Sequence, residues 1–364
     1  MTTNSLTTLP EELAAPVPRP TIREIAALAG VSTATVSRVV NDSGYVAEKT
    51  REAVEDVIRE RGYTANRAAR GLSSGRTGLI GVTVPRIHPA YFSQIVTGVA
   101  DALYEHDMRV VLCPTLHDHD REVSLLERLV HGTIDGGVLI LPEESTGELR
   151  RLMRHGFRFV VVDPRRRIDG PVATVSAANS SGADQGIRHL IELGHRRIAA
   201  ITGPRGWLAT AERTRGYLAA LAAAGIAPDD DLVIESNFDV DGGRAATAIL
   251  LDRADPPTAI FAFNDQLAIG SMQTAFARGL QVPEDLSIVG FDDTAEAELV
   301  TPSLTTLRQP LAEMGRMGVS LLSRLLDDRQ LEALHVELAT QLIIRGSTAP
   351  PRARPRSTAV LLRP

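Results

Sequence analysis

Residues 21–41 read TIREIAALAGVSTATVSRVVN, and their spacing predicts two short helices joined by a tight turn. Thr21-Ile22-Arg23-Glu24 has the form of a capping box, in which the Thr hydroxyl accepts from the Glu24 backbone and the Glu side chain reaches back. Ile22, Ile25, Ala26 and Ala29 follow at helical spacing and give one apolar face. Gly30 ends that helix by supplying a left-handed residue. Ser32 is placed to cap the next helix, Thr33 to Val40. On it Val36, Val39 and Val40 turn toward a core, while Thr33, Ala34, Ser37 and Arg38 lie elsewhere. Small, hydroxylated and guanidinium residues on an open helix face suit a DNA major groove, where an arginine bonds a guanine edge bidentately. The spacing alone also fits a three-helix module that binds protein.

The residues beyond Asn41 narrow the choice. Val46-Ala47-Glu48-Lys49-Thr50-Arg51 opens a third helix, roughly Glu48 to Arg61, with Ala53, Val54, Val57 and Ile58 on its apolar face and Gly62 at its end. Next comes Gly62-Tyr63-Thr64-Ala65-Asn66-Arg67-Ala68-Ala69-Arg70-Gly71-Leu72, and then Thr77-Gly78-Leu79-Ile80-Gly81-Val82. With these motifs the chain closely resembles the lac repressor/galactose repressor family of bacterial transcription regulators, from the N-terminal helices to about Arg345. The resemblance implies base reading by Thr33, Ala34 and Arg38, and phosphate contact or support of the head by Ser32, Thr35, Ser37, Asn41 and Tyr63. It also implies a hinge helix whose Ala69, Arg70 and Leu72 enter the minor groove, with Leu72 wedged between base pairs. Gly71 costs about 1 kcal/mol relative to alanine inside a helix, which bears on how readily that hinge orders without DNA.

Composition excludes several classes. The net charge is −6, and residues 21–76 hold nine basic against seven acidic side chains, so any attraction to phosphate is local. Lys49 is the only lysine and Cys113 the only cysteine. Catalysis by a lysine in the core, an intrachain disulfide and a thiolate metal cluster are therefore excluded. Residues 1–20 lack a basic start and an apolar run, so they read as a polar tail rather than an export signal, and the expected location is the cytoplasm. No cofactor or resident metal is expected. His117, Asp118, His119 and Asp120 are dense in metal-ligand types, but alternation on a loop fixes no geometry and a solvated turn is expected.

From Gly78 onward apolar strands alternate with amphipathic helices. Gly78–Val84, Arg109–Leu112, Gly137–Leu141 and Phe159–Val162 read as strands of one series, and the pattern restarts at the helix Asn179–Leu193. Alternation of this kind predicts doubly wound parallel sheets in two similar lobes. The family adds the wiring of a periplasmic sugar-binding-protein fold. The implied division is a tail over 1–20, a DNA-binding head over 21–64, a hinge over 65–76, an effector core over 77–346 and a C-terminal tail over 347–364. Lobe 1 is expected at about 77–176 and 307–334, and lobe 2 at about 177–306 and 335–346. Both strands near the end, Val336–Leu338 and Gln341–Ile344, are thereby assigned to lobe 2.

A cleft between two such lobes is a natural small-molecule site, because strand ends and helix N-termini converge there. By resemblance Arg213 and Asp265 bond the effector, and Tyr91 with Phe92 forms an aromatic corner. Asp163, Trp207, Asn237 and Phe238 join them as cleft candidates. Charged hydrogen-bonding groups beside aromatic faces suit a sugar. Each residue has a plainer alternative: Asp265 as a helix cap, Arg213 as an ion pair, Phe92 as core, Trp207 as a loop cover. The expected protein is a dimeric repressor on a near-palindromic operator, governed by a small effector, with no catalytic residue. A transport-linked solute-binding protein, an enzyme on a doubly wound fold, and a regulator answering to a protein partner are the competing readings.

Overall fold

The computed structural model describes residues 20–40, 42–63, 76–130 and 134–352. The expected tail short of Pro20, Asn41, and Ala69, Arg70 and Leu72 of the expected hinge lie outside the described residues. Two units, Met1–Thr77 and Gly78–Pro364, are compact by themselves.

The first unit is the three-helix head. α1 (Ile22–Leu28), α2 (Thr33–Val40) and α3 (Glu48–Arg61) enclose Ile25, Ala26, Val36, Val39 and Val54. The capping box forms: the Thr21 backbone N–H donates to the Glu24 carboxylate at 2.6 Å, and the Glu24 N–H donates to Thr21 Oγ1 at 3.3 Å. The Thr35 N–H donates to Ser32 Oγ at 3.1 Å and to the Ser32 carbonyl at 3.0 Å, so Ser32 caps the start of α2. Gly62 closes α3 at φ 61°, in the left-handed region open to glycine.

The second unit opens with β1 (Leu79–Val84), α4 (Ala90–Glu105), β2 (Arg109–Pro114), α5 (His119–Val130), β3 (Gly136–Ile140), α6 (Thr146–Arg154), β4 (Phe159–Val162) and β5 (Thr174–Ala177). It continues with α7 (Asn179–Glu192), β6 (Ile198–Thr202), α8 (Leu208–Ala223), β7 (Val233–Glu235), α9 (Val240–Leu251), β8 (Ala259–Ala262), α10 (Asp265–Ala277), β9 (Ser287–Asp292) and α11 (Ala295–Leu299). It ends with β10 (Thr305–Arg308), α12 (Leu311–Leu326), β11 (His335–Leu338) and β12 (Gln341–Ile343). One sheet runs β2-β1-β3-β4-β5-β11, parallel throughout. The other runs β7-β6-β8-β9-β10-β12, parallel except where β12 pairs antiparallel with β10. Helices cover the strands, so β3, β4, β6 and β8 are buried along their whole length. That is why they appear in sequence as continuous rather than alternating apolar runs. Each fully buried Val, Leu or Ile contributes about 1.5–3 kcal/mol.

Two expectations are corrected. β11 belongs to lobe 1, where it pairs with β5 from His335↔Thr174 to Leu338↔Ala177; only β12 returns to lobe 2. α12 packs in lobe 1, so the chain leaving it reaches the open edge of β5 first. Thr174 then fixes the register, its N–H donating to the Leu334 carbonyl at 2.7 Å and its hydroxyl bonding His335 Nδ1 at 2.9 Å. The chain thus passes between lobes after β5, after β10 and between β11 and β12. The expected C-terminal tail also starts later than Ser347. Ser347 is fully buried, its hydroxyl donating to the Ile288 carbonyl at 2.6 Å and accepting from the Thr305 N–H at 2.8 Å. His195 Nε2 bonds the Ala349 carbonyl at 2.9 Å, and Arg352 pairs with Asp285 at 2.6 Å. Residues 347–352 are therefore part of lobe 2.

Candidate functional site

The cleft gathers strand ends from both lobes. On the lobe 1 side β4 runs out at Asp163, which takes φ 54° and is buried. Tyr91, in the first turn of α4, donates its hydroxyl to Asp163 Oδ2 at 2.7 Å. Burial raises the Asp163 carboxyl above its usual range, opposed by the Tyr91 bond and the Arg213 charge. Burial likewise holds the Tyr91 phenol well above its usual value, helped by the Asp163 charge.

Arg213 reaches the same place from α8 of lobe 2 and is only 4% exposed, so it is no surface ion pair. Its Nε donates to Asn179 Oδ1 at 2.9 Å, one Nη donates to the Phe263 carbonyl, and Cζ lies 3.7 Å over the Phe291 ring. The other Nη lies 3.9 Å from Asp292 Oδ1. Asp292 ends β9 at φ 124°, and Gln309 Nε2 donates to its Oδ1 at 2.6 Å. Burial, then the Asp265 and Asp163 charges, push the Asp292 carboxyl well up, while Arg213 and the Gln309 bond hold it down. Two carboxyls and one guanidinium, withdrawn from water, thus sit among polar hydroxyl and amide groups. Such an array bonds a polar ligand through charge-assisted hydrogen bonds.

Asp265 does not share this role. Its Oδ1 accepts from Thr306 Oγ1 at 2.5 Å, and its Oδ2 accepts from the Thr294 N–H at 2.8 Å and the Thr294 hydroxyl at 3.3 Å. Both oxygens are used inside lobe 2, tying α10 to β10 and to the loop after β9. Desolvation pushes this carboxyl up to about 7, against the Thr306 and Thr294 bonds. The helix cap is the preceding Asn264, whose side chain accepts from the Leu267 N–H at 2.8 Å. Asp292 is the acid facing Arg213, and the sequence reading passed over it. Its signal was present in Gly290-Phe291-Asp292-Asp293, an acid pair at the end of a buried strand.

Phe92 is likewise corrected: it lies in the lobe 1 core, 7% exposed, edge-on to Tyr91 at 5.2 Å. Tyr91 alone of that pair carries a polar tip into the cleft cluster. Trp207 caps α8, with Phe238 5.3 Å from its ring and Arg165 of lobe 1 at 4.6 Å. Gly203 makes room for this stack, since a Cβ there would fall 2.1 Å from the Phe238 ring. Asn237 stands exposed beside Phe238. Behind the Arg165 rim, Glu122 and Glu144 are buried together; burial pushes them to about 7 and about 8, with the Glu122 charge adding to the rise at Glu144 and the Glu144 hydrogen bond opposing it at Glu122. No spacing in the chain marks that pair, because its two members come from different elements.

In the head, Thr33, Ala34 and Arg38 are exposed on α2, opposite the buried Val36 and Val39. Ser32 is exposed and holds Thr35, and Ser37 is half-buried. Tyr63 packs against the head core and supports it.

Comparison with known proteins matches both units. Residues 21–66 fit the profile described as bacterial regulatory proteins, lacI family, and residues 187–348 that of a periplasmic binding protein-like domain. The HTH-type transcriptional regulator CelR of Thermobifida fusca is 38% identical over 338 residues, 90% of this chain and 98% of that protein. A solved CelR–cellobiose complex is 36% identical, with a TM-score of 0.70, and covers 90% of this chain and 100% of its own. A lac repressor dimer bound to operator and the anti-inducer ONPF is 28% identical with a TM-score of 0.82, covering 91% and 100%. With both units matched, and with relatives above 30% identity along nearly the whole chain, the chain belongs to the LacI family of bacterial regulatory proteins and is a DNA-binding transcription regulator with an effector-binding core.

Proposed function

We propose that the protein is a cytoplasmic homodimeric repressor that releases or grips a near-palindromic operator in response to a sugar bound between the lobes of its core. Two heads set α2 into successive major grooves. Thr33, Ala34 and Arg38 read base edges, while Ser32, Thr35, Ser37 and Asn41 set register on phosphates and Tyr63 steadies the head. Ala69, Arg70 and Leu72 of each hinge occupy the minor groove. In the cleft, Arg213, Asp292, Asp163 and Tyr91 bond effector hydroxyls, and Trp207, Asn237 and Phe238 form the wall beside them. The effector acts only through its different affinity for the two core conformations.

The observation that carries this reading is the facing of Arg213 and Asp292 from lobe 2 with Tyr91 and Asp163 from lobe 1. Sugar hydroxyls donate to carboxylates and accept from guanidinium, so one ring engages both lobes. The cellobiose bound by the solved CelR complex supports a saccharide as the class to test first. Calorimetric titration with cellobiose, ribose and other free sugars tests it, using the parent, Asp292→Asn and Asp265→Asn. Binding should weaken at least roughly ten-fold in Asp292→Asn, as for loss of a charged hydrogen bond, and fall less in Asp265→Asn once both are confirmed folded. Equal losses in the two variants, or no saccharide binding by the parent, would overturn the cleft assignment.

A further inference from the structure

Trp207 belongs to lobe 2, but its ring leans against the lobe 1 core. Arg165 of lobe 1 places Cζ 4.6 Å from the indole centroid, and the His117 ring, also of lobe 1, lies 6.5 Å away. The next residue, Leu208, donates its N–H to the Arg165 carbonyl at 2.8 Å. One residue of lobe 1 therefore receives both a backbone bond and an aromatic face from lobe 2. Its guanidinium is held by an ion pair with Glu143, whose own N–H donates to Glu122 Oε2 at 3.0 Å. On the lobe 2 side, Phe238 backs the indole over Gly203. None of these residues lies in the three segments where the chain passes between lobes. Bonds in crossing segments survive a hinge motion, whereas a contact between loops of opposite lobes breaks when the lobes part.

We propose that Trp207 and Arg165 form a latch across the mouth of the cleft. The lobes separate only when the indole leaves the guanidinium and Leu208 releases the Arg165 carbonyl. The strength of this contact sets the balance of closed and open cores. A partly desolvated cation–π contact shifts such a balance by roughly two- to thirty-fold. Effector affinity and release rate scale with that balance; this consequence rests on the effector reading above, but the latch itself is measurable with no effector present. Arg165 is a positioning residue, acting on the effector through closure, while Trp207 serves both the latch and the cleft wall.

Trp207 is the only tryptophan in the chain, so its emission reports the latch alone. The experiment compares acrylamide quenching and small-angle scattering of the full-length parent, Arg165→Ala, Arg165→Lys and Glu143→Gln, without ligand. Arg165→Ala should raise the quenching constant roughly two-fold or more, within the range above, redden the emission and enlarge the radius of gyration, with far-ultraviolet dichroism unchanged. Arg165→Lys keeps a charge without the planar stack, and Glu143→Gln frees the guanidinium; both should fall between. Parent-like quenching and scattering in folded Arg165→Ala would overturn the latch and leave Trp207 held by its own lobe. If Arg165→Ala does not fold, parent-like values in the other two variants overturn it equally. Absence of sugar binding by the parent would refute the effector reading and leave this measurement standing.

Discussion

Glu144→Gln should stabilise the core at alkaline pH and leave it nearly unchanged in mild acid. Glu122 is 1% exposed and Glu144 5%, on α5 and on the loop before α6. The groups facing them are Thr83 at the end of β1, His119 of α5, Arg165 beyond β4, and Glu148 of α6. Desolvation, joined at Glu144 by the Glu122 and Glu148 charges and opposed at Glu122 by Glu144, His119, Thr83 and Arg165, raises the two carboxyls from 4.5 to about 7 and about 8. Because both values lie above those of the unfolded chain, the associated stability is fully present below pH 4.5 and is lost as pH rises through about 7 and then about 8. For Glu144 the displacement from 4.5 to about 8 corresponds to about 3–5 kcal/mol. Gln keeps the shape of the protonated acid but never ionises, so the variant escapes that loss. The measurement is thermal unfolding of parent and Glu144→Gln from pH 5 to 9. At roughly 2–4 °C per kcal/mol, the variant should melt about 10 °C above the parent at pH 9, with the gap closing toward pH 5. A parent melting point independent of pH between 6 and 9, or a gap of equal size at every pH, would refute the reasoning.

The head and the C-terminal segment each supply a further test. Arg38→Ala should cost roughly 1–3 kcal/mol of discrimination between a duplex selected from a random library and its mismatched forms; unchanged base preference in competition would remove Arg38 from the reading set. Ser347→Ala leaves the Ile288 carbonyl and the Thr305 N–H without their side-chain partner and should lower stability by about 1–3 kcal/mol; a urea midpoint equal to that of the parent would show that residues 347–352 only rest on lobe 2.

The head was legible because its signals are local. A hydroxyl three residues before a glutamate, a glycine after a helix and valines at helical spacing each act within one turn of chain. The Thr21–Glu24 box, the Ser32 cap and the burial of Val36 and Val39 all formed as those spacings require. The parallel sheets were legible for a related reason, since strands buried on both faces must be apolar throughout.

Sequence by itself therefore determined the family, the two-lobed fold class, the exposed face of α2, and Arg213 as a cleft candidate. Tertiary structure alone decided which acid faces that arginine. Asp265 and Asp292 both stand at strand ends, and neither spacing nor composition separates them. The choice was made by Thr294 and Thr306, which consume both Asp265 oxygens from positions distant in sequence. The same holds for β11, whose partner is an edge left open far back in the chain, and for Ser347, buried by groups on β9 and β10. Local periodicity dictates which face of an element is apolar; where its polar atoms find their partners depends on neighbours that only the packed chain brings near.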